Sequence, residues 1–206
     1  MKKIKKFLFC KNLFLIVVLG PDGAGKSSLI RKLMFEYRNA ASNYYSHFYP
    51  SLKEKIVKDS IYPYSKKPYS TIISNFKVIY ILIKSFSKFL FIFLKIRKGN
   101  SIIWCDRYLY DIFPDPIRYR LKKIIFKPGF IKKFSLKPNL IIILNPPIEE
   151  ILIRSSELSY KELKNQSESY DKLINYFPDA LLVKNNYSIK KLTKICKFQI
   201  NKLLED

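Results

Sequence analysis

Apolar residues follow two rhythms along this chain. Continuous runs such as Leu13–Leu19 (LFLIVVL) and Leu140–Leu144 (LIIIL) predict strands covered on both faces. Between such runs the apolar positions recur at helical spacing: Leu29, Ile30, Leu33, Met34 and Tyr37 within Ser27–Arg38 predict a helix right after the first strand. Tyr44–Pro50 (YYSHFYP) is β-prone and ends at proline, which predicts a second strand, and residues 50–71 read as irregular. Ile102–Cys105 is a short apolar strand. Two helical stretches flank Ser155–Tyr160, DALLVKNN holds a last strand, and SIKKLTKICKFQINKLL closes the chain as an amphipathic helix. Strands alternating with helices over 206 residues predict one α/β domain, a doubly wound parallel sheet.

Ser74–Lys98 (SNFKVIYILIKSFSKFLFIFLKIRK) first suggests a membrane span. Its lysines, Lys77, Lys84, Lys88 and Lys95, recur at intervals of 7, 4 and 7 and so form one narrow stripe. A spanning helix would not carry four lysines through hydrocarbon. The wide apolar arc predicts a buried helix with one wet edge, in preference to the rival, a basic helix lying on a membrane.

The net charge is +23, from 39 Lys and Arg against 16 Asp and Glu. Contact with nucleic acid or an anionic membrane would explain it, and so would the joint excess of Lys, Ile, Asn, Phe and Tyr typical of AT-rich coding. Only seven of the 39 are arginine, the better partner for phosphates and bases. That favours composition, with a generally positive surface that attracts anionic substrates and no specific nucleic-acid partner. Cys10, Cys105 and Cys196 are scattered and odd in number, without zinc spacing, which predicts a reduced, cytoplasmic protein with Cys105 in the core. Residues 1–12 imitate a secretion signal, but Lys11 and Asn12 interrupt the apolar run, and cleavage there would remove the first strand. They read as a basic leader.

Three of the chain's five glycines, Gly20, Gly23 and Gly25, fall in GPDGAGKSS, residues 20–28. Gly20, four residues, Gly25, Lys26 and Ser27 match the phosphate-binding pattern G-x-x-x-x-G-K-S/T, in the strand–loop–helix setting it requires. Glycine lets the backbone approach a ligand closely, the loop aims N–H groups inward, and the helix start adds its positive end. Lys26 is expected on the β and γ phosphates and the Ser27 hydroxyl on Mg²⁺. Asp106 ends the strand Ile102–Cys105, where α/β sheets gather ligands, and suits a magnesium-site carboxylate; capping a following helix is the other reading. Arg107, Arg118 and Arg120 cluster next, which suggests anion recognition, although Arg118 and Arg120 fit a solvated helix face equally well. An Arg after the strand-ending Asp, where motor-type ATPases carry Glu, and the lack of N-K-x-D point away from motors and GTPases toward a small-molecule kinase.

On GPDGAGKSSL, DRY at Asp106–Tyr108 and LIIILNPPIEEILIRSSE, the chain resembles the thymidylate kinase-like phosphate-loop kinases across most of its length. HFYP, KKP and DPIRYR resemble most closely the thymidylate-kinase-like proteins of bacterial surface-polysaccharide loci. The resemblance implies the phosphate-loop kinase fold, a five-stranded parallel sheet flanked by helices with a small helical lid at residues 154–170, and ATP and Mg²⁺ as cofactors. It implies a nucleotide cradle of Gly20, Asp22, Gly23, Ala24, Gly25, Lys26, Ser27 and Ser28, with Asp22 near the acceptor's sugar hydroxyl. It further implies Lys26, Asp106, Arg107 and Arg154 as catalytic groups, Ser27 and Asp106 at the metal, Arg107 on the acceptor phosphate and Arg154 in the lid. The expected reaction is transfer of the ATP γ-phosphate to a small acceptor, a nucleoside monophosphate or a relative of one. A non-catalytic ATP-binding module and a kinase of a sugar or lipid-linked acceptor in surface-glycan synthesis are the alternatives. The family's T-R-E-P-G-G-T is replaced by SHFYPSLK, with Phe48 at the arginine position, and its thymine-reading S-x-x-A-Y-Q by LYDIFPDPIRYR. Poor turnover of dTMP is therefore expected. His47, the only histidine, is either an acceptor contact or a strand-end residue.

Overall fold

The computed structural model describes residues 13–48, 67–96, 100–155, 157–184 and 186–205. The leader expected at 1–12, with Cys10, and most of the irregular stretch expected at 50–71 lie outside them. The described elements run β1 Leu13–Leu19, α1 Lys26–Glu36, β2 Ser42–His47, α2 Thr71–Lys95, β3 Ser101–Asp106, α3 Pro128–Phe134, β4 Leu140–Leu144, α4 Ile148–Arg154, α5 Tyr160–Leu173, β5 Leu181–Val183 and α6 Ile189–Glu205. The five strands form one sheet in the order β2-β3-β1-β4-β5, every neighbouring pair parallel.

The strand period of two explains the layers. Along β1, Leu15, Val17 and Leu19 enter one core with Val78 and Ile81 of α2 and Tyr170 of α5. Ile16 and Val18 enter the other, with Leu29 and Leu33 of α1 and Cys196 and Ile200 of α6. A central strand with both faces covered must be apolar throughout, which is why β1 and β4 read as unbroken hydrophobic runs. Because β3 lies beside β1 and β2 outside it, the C-terminal ends of three strands meet. His47 stands opposite Asp106, and Asp106 opposite Val18. The chain turns there from one half of the sheet to the other, and a crevice opens beyond the strand ends.

Most elements lie where the periodicity places them. The segment after β3 differs: it is a 3-10 turn, Leu109–Ile112, followed by turns and loops up to α3, so Arg118 and Arg120 occupy no helix face. Helix α2 also departs from expectation. Val78, Ile81, Ser85 and Phe89 face the core, but the apolar residues opposite are open, with Phe76 69 % and Ile83 62 % exposed. Of the lysine stripe, Lys84 stands exposed while Lys77 and Lys88 are drawn in. Lys77 donates to the Tyr119 carbonyl at 2.7 Å and Lys88 to the His47 carbonyl at 2.6 Å, which draws them against the protein's flank. A helix packed on one sheet face buries about a third of its circumference, and the side of α2 that carries Ile72, Phe76 and Ile83 stays exposed among the described residues. No described helix is long and apolar enough to cross a membrane.

Gly20 closes β1 beside the end of β4 with φ +144°, and a Cβ built there would stand 2.2 Å from the Leu144 carbonyl oxygen. Backbone cannot yield as a side chain does. Gly20→Ala is expected to lower stability by about 2–3 kcal/mol, measured by urea unfolding, through this overlap and the strained φ.

Candidate functional site

The loop between β1 and α1 is shaped by glycine and left open at the helix start. Gly25 is the N-cap of α1 at φ +88°; it offers no side-chain cap, and no acidic residue sits in the first turn. A Cβ on Gly25 would meet nothing within 4 Å, so glycine is needed here for backbone conformation and ligand approach. Helices α2 and α5, by contrast, are capped by Ser70 and by a Ser159–Glu162 capping box. The first-turn amides of α1 are thus left without a side-chain acceptor, as are those of α3 and α4, but at a helix start whose residues Lys26, Ser27 and Ser28 line the crevice. A Cβ built on Gly23 would stand 3.2 Å from the Ile151 carbonyl oxygen, so the loop passes close to the end of α4, the helix that carries Arg154.

Lys26 is buried and folds back, donating to the Pro21 carbonyl at 2.6 Å with the Asp22 carboxylate 3.6 Å away. Burial, helped by the nearby Arg107 charge and opposed by Asp111, Asp106 and Asp115, lowers its pKa to about 7. Beside it the Ser27 hydroxyl donates to Asp106 Oδ2 at 2.6 Å, and the Tyr45 hydroxyl donates to the same oxygen at 3.1 Å. The other Asp106 oxygen, Oδ1, is buried without a hydrogen-bond partner among the described residues. A buried carboxylate oxygen with unspent lone pairs beside a hydroxyl is a hard-oxygen donor set, which fits Mg²⁺. No group of three or more His, Cys, Asp or Glu placed to hold a metal ion by itself occurs among the described residues. The pair therefore suits a cation that keeps most ligands as water and phosphate oxygen.

Arg107 follows Asp106 at φ +67°, a strained backbone for a non-glycine residue, held by its N–H bond to the Val18 carbonyl at 3.0 Å. Its guanidinium is almost fully buried. One arm donates to Asp22 and the other to Asp111 at 2.5 Å, with Asp115 at 3.9 Å. Tyr170 of α5 donates to the second Asp111 oxygen at 2.9 Å. Arg118 binds Asp115 through Nε at 2.9 Å and reaches Asp22 with Nη2. Burial opposes the charge on Arg107, but Asp111 and its neighbours outweigh burial and hold its pKa well above the ordinary value. Burial lowers that of Arg118. Three carboxylates thus hold two guanidiniums, and Asp22 joins them to the Lys26 loop.

Asp22, Lys26, Ser27, Asp106, Arg107 and Arg118 line one cavity of about 400 Å³ with Ser28, Arg31, His47 and Arg154. Four of the seven arginines stand there: Arg31, Arg107, Arg118 and Arg154. Arg154, the last residue of α4, is partly exposed and donates to Asn186 at 2.9 Å and to the Gly23 carbonyl at 3.5 Å. The loop and strand-end residues expected at the site therefore come together. Arg120 does not join them: it stacks on the Tyr69 ring at 4.0 Å. Phe48 is buried against Tyr108, ring centroids 5.9 Å apart, so the position where the resemblance implied an arginine belongs to the core. His47 lies at the strand end and lines the cavity. Burial lowers its pKa, with the Asp106 charge opposing.

Asp111, Asp115, Tyr170 and Arg31 were not foreseen. Three of only 16 acidic residues, Asp106, Asp111 and Asp115, fall within ten positions around Arg107 in a strongly basic chain, and that was the available signal.

No family model and no curated protein matches the chain. Solved structures do. Thymidylate kinase from Candida albicans superposes with a TM-score of 0.67 at 17% identity over 93% of each chain. Deoxyadenosine kinase from M. mycoides, solved with bound dATP, gives 0.55 at 16% identity over 91% of this chain and 100% of that one. The fold is that of the phosphate-loop nucleotide kinases. At such identities the architecture is what is shared, and this kinase fold carries its crevice at the strand ends where Lys26, Asp106 and Arg107 converge.

Removing one member of a buried ion group strands the others. Asp111→Ala is expected to lower stability by about 3 kcal/mol, and Tyr170→Phe, which removes one hydrogen bond, by about 1 kcal/mol, both read from denaturant unfolding. Equal, negligible losses would show that Arg107 does not depend on Asp111.

Proposed function

We propose that this protein transfers the γ-phosphate of ATP to a nucleoside monophosphate or a closely related phosphate-bearing small molecule. The observation that carries this reading is two cationic centres in one cavity: Lys26 with the uncapped start of α1, and Arg107 with Arg118, joined through Asp22. Bringing two phosphates together needs two such centres, because each anion repels the other.

In this reading the loop amides of residues 23–28 and Lys26 hold the ATP phosphates, and Ser27 and Asp106 hold Mg²⁺, which would offset charge on the phosphate oxygens. Arg107 is fixed by Asp111 and so presents a guanidinium already oriented for the acceptor phosphate. Arg118 stands in for the cation that Phe48 cannot supply. Asp22 releases both arginines as the acceptor arrives and remains near its sugar hydroxyl. Catalysis of this kind is alignment plus electrostatic compensation, and no covalent nucleophile is needed. Arg154 and the turn after it close over ATP. The rest of the 154–170 segment moves less, because Leu163 and Tyr170 are packed in the core. The unpaired thiols Cys105 and Cys196 suit a reducing compartment such as the cytoplasm.

ATP consumption screened across nucleoside monophosphates, nucleosides, sugars and sugar acids tests the reading. At least one phosphate-bearing acceptor is expected to turn over well, and dTMP poorly. Stimulation by none would leave a nucleotide-binding module without transfer. Arg118→Gln is expected to lower transfer about a hundredfold while ATP affinity changes little, as for a charge-assisted contact confined to the acceptor.

Lys26 provides a test that needs no acceptor. With its pKa at about 7 in the free protein and 10.5 as the ordinary value, it is mostly neutral at pH 8. A bound polyphosphate favours the ammonium form, so binding must draw a proton from solvent. Calorimetry of ATP binding at pH 8 in buffers of differing ionisation enthalpy is expected to show nearly one proton more taken up by the wild type than by Lys26→Met. The difference should fade below pH 6, where Lys26 is already charged. No difference at pH 8 would remove Lys26 from the phosphate contacts.

A further inference from the structure

We propose that the outer face of α2 with α3 is a docking surface for an anionic lipid bilayer. This inference is independent of the transfer reaction and of its acceptor. Ile72, Phe76, Ile79, Ile83, Phe86 and Leu90, spaced by alternate fours and threes, line the side of α2 that faces away from the core, and each is exposed. At 1.5 Å per residue the seam from Ile72 to Leu90 runs about 27 Å along the helix. The surface broadens sideways. Phe126, Phe130 and Phe134 stack in a row, ring centroids 5.1 and 4.8 Å apart, and with Ile83 and Phe86 they line an apolar cavity of about 460 Å³. An unbroken apolar surface of this size is uncommon on a protein that keeps no partner.

Charge decides what covers it. Residues 60–105 and 116–148, which contain both helices, hold sixteen Lys and Arg and no Asp or Glu; all 16 acidic residues lie in the other 127. A lysine-rich composition explains many lysines but not the clearing of acids from two long segments. The exposed ammonium groups border the apolar surface. Lys84 lies 6.0 Å from the Tyr80 ring and Lys133 6.0 Å from the Phe134 ring, while Lys122, Lys123 and Lys127 stand exposed on the α3 side. A second copy of this chain would bring a rim of the same sign with no carboxylate to answer it. The headgroup layer of an anionic membrane provides both complements: acyl chains for the Ile and Phe side chains, phosphates for the lysines. The helix lies in the interface and does not cross it.

The test is co-sedimentation of the full chain with phosphatidylcholine vesicles, with and without phosphatidylglycerol, at low and high salt. Binding to the anionic vesicles is expected to exceed binding to neutral ones about tenfold and to weaken with salt. In Ile79→Gln/Ile83→Gln/Phe86→Gln, whose altered side chains are all exposed or at the rim of the groove, it is expected to fall about tenfold further. Thermal melting confirms that the variant folds. Single substitutions, Ile83→Gln and Phe86→Gln, serve if the triple variant does not. No binding to either vesicle overturns the proposal, and so does anionic binding that the glutamines leave unchanged, since charge alone would then act. Absence of vesicle binding together with a dimer in sedimentation equilibrium that the glutamines abolish would assign the face to a second copy instead.

Discussion

A guanidinium removed from water must find its counter-charges in the protein, and Arg107 sets this requirement on everything around it. It lies at the end of a central strand where both sheet faces are covered, so water cannot serve it. Asp111 must sit one turn later, which favours the tight 3-10 turn at Leu109–Ile112 over a helix directed elsewhere. Asp22 must lean across from the glycine loop, and Asp115 must hold Arg118. Tyr170 brings α5 in to occupy the last oxygen of Asp111. One buried cation therefore fixes how the loop after β1, the turns after β3 and the helix after α4 meet.

The same group divides labour along the crevice. Toward α1 the positive character comes from backbone dipoles and a lysine whose charge burial has weakened, so that side changes its state readily when an anion comes or goes. Toward the turns after β3 it comes from arginines, which do not lose their protons. The adjustable half and the permanent half share one carboxylate, Asp22.

What could be read from the chain was mostly what depends on near neighbours in sequence. The apolar runs of β1 and β4 and the spacing of α1 and α6 reflect local geometry, and the loop motif is local as well. Arg107 was legible as a cation at a strand end, but its three carboxylates were not, because pairing over 85 residues between Asp22 and Arg107 is a product of the fold. Arg118 and Arg120, two positions apart, looked equivalent. One is drawn to Asp22 and the other to the Tyr69 ring, and only the path of the turns separates them. Helix α2 shows the limit most clearly. A periodic pattern tells which residues share a face but not which face the sheet will cover. In α2 the wide apolar arc was taken for burial, whereas the sheet covers one narrow strip of it.

The bare start of α1 has a consequence of another kind. Three other described helices carry serine where their first amides need an acceptor, while α1 begins on a glycine that can offer none. Its hydrogen-bond pattern is thus one residue short, and the missing residue is not encoded. An anion bound there would stand in for that acceptor from outside the chain.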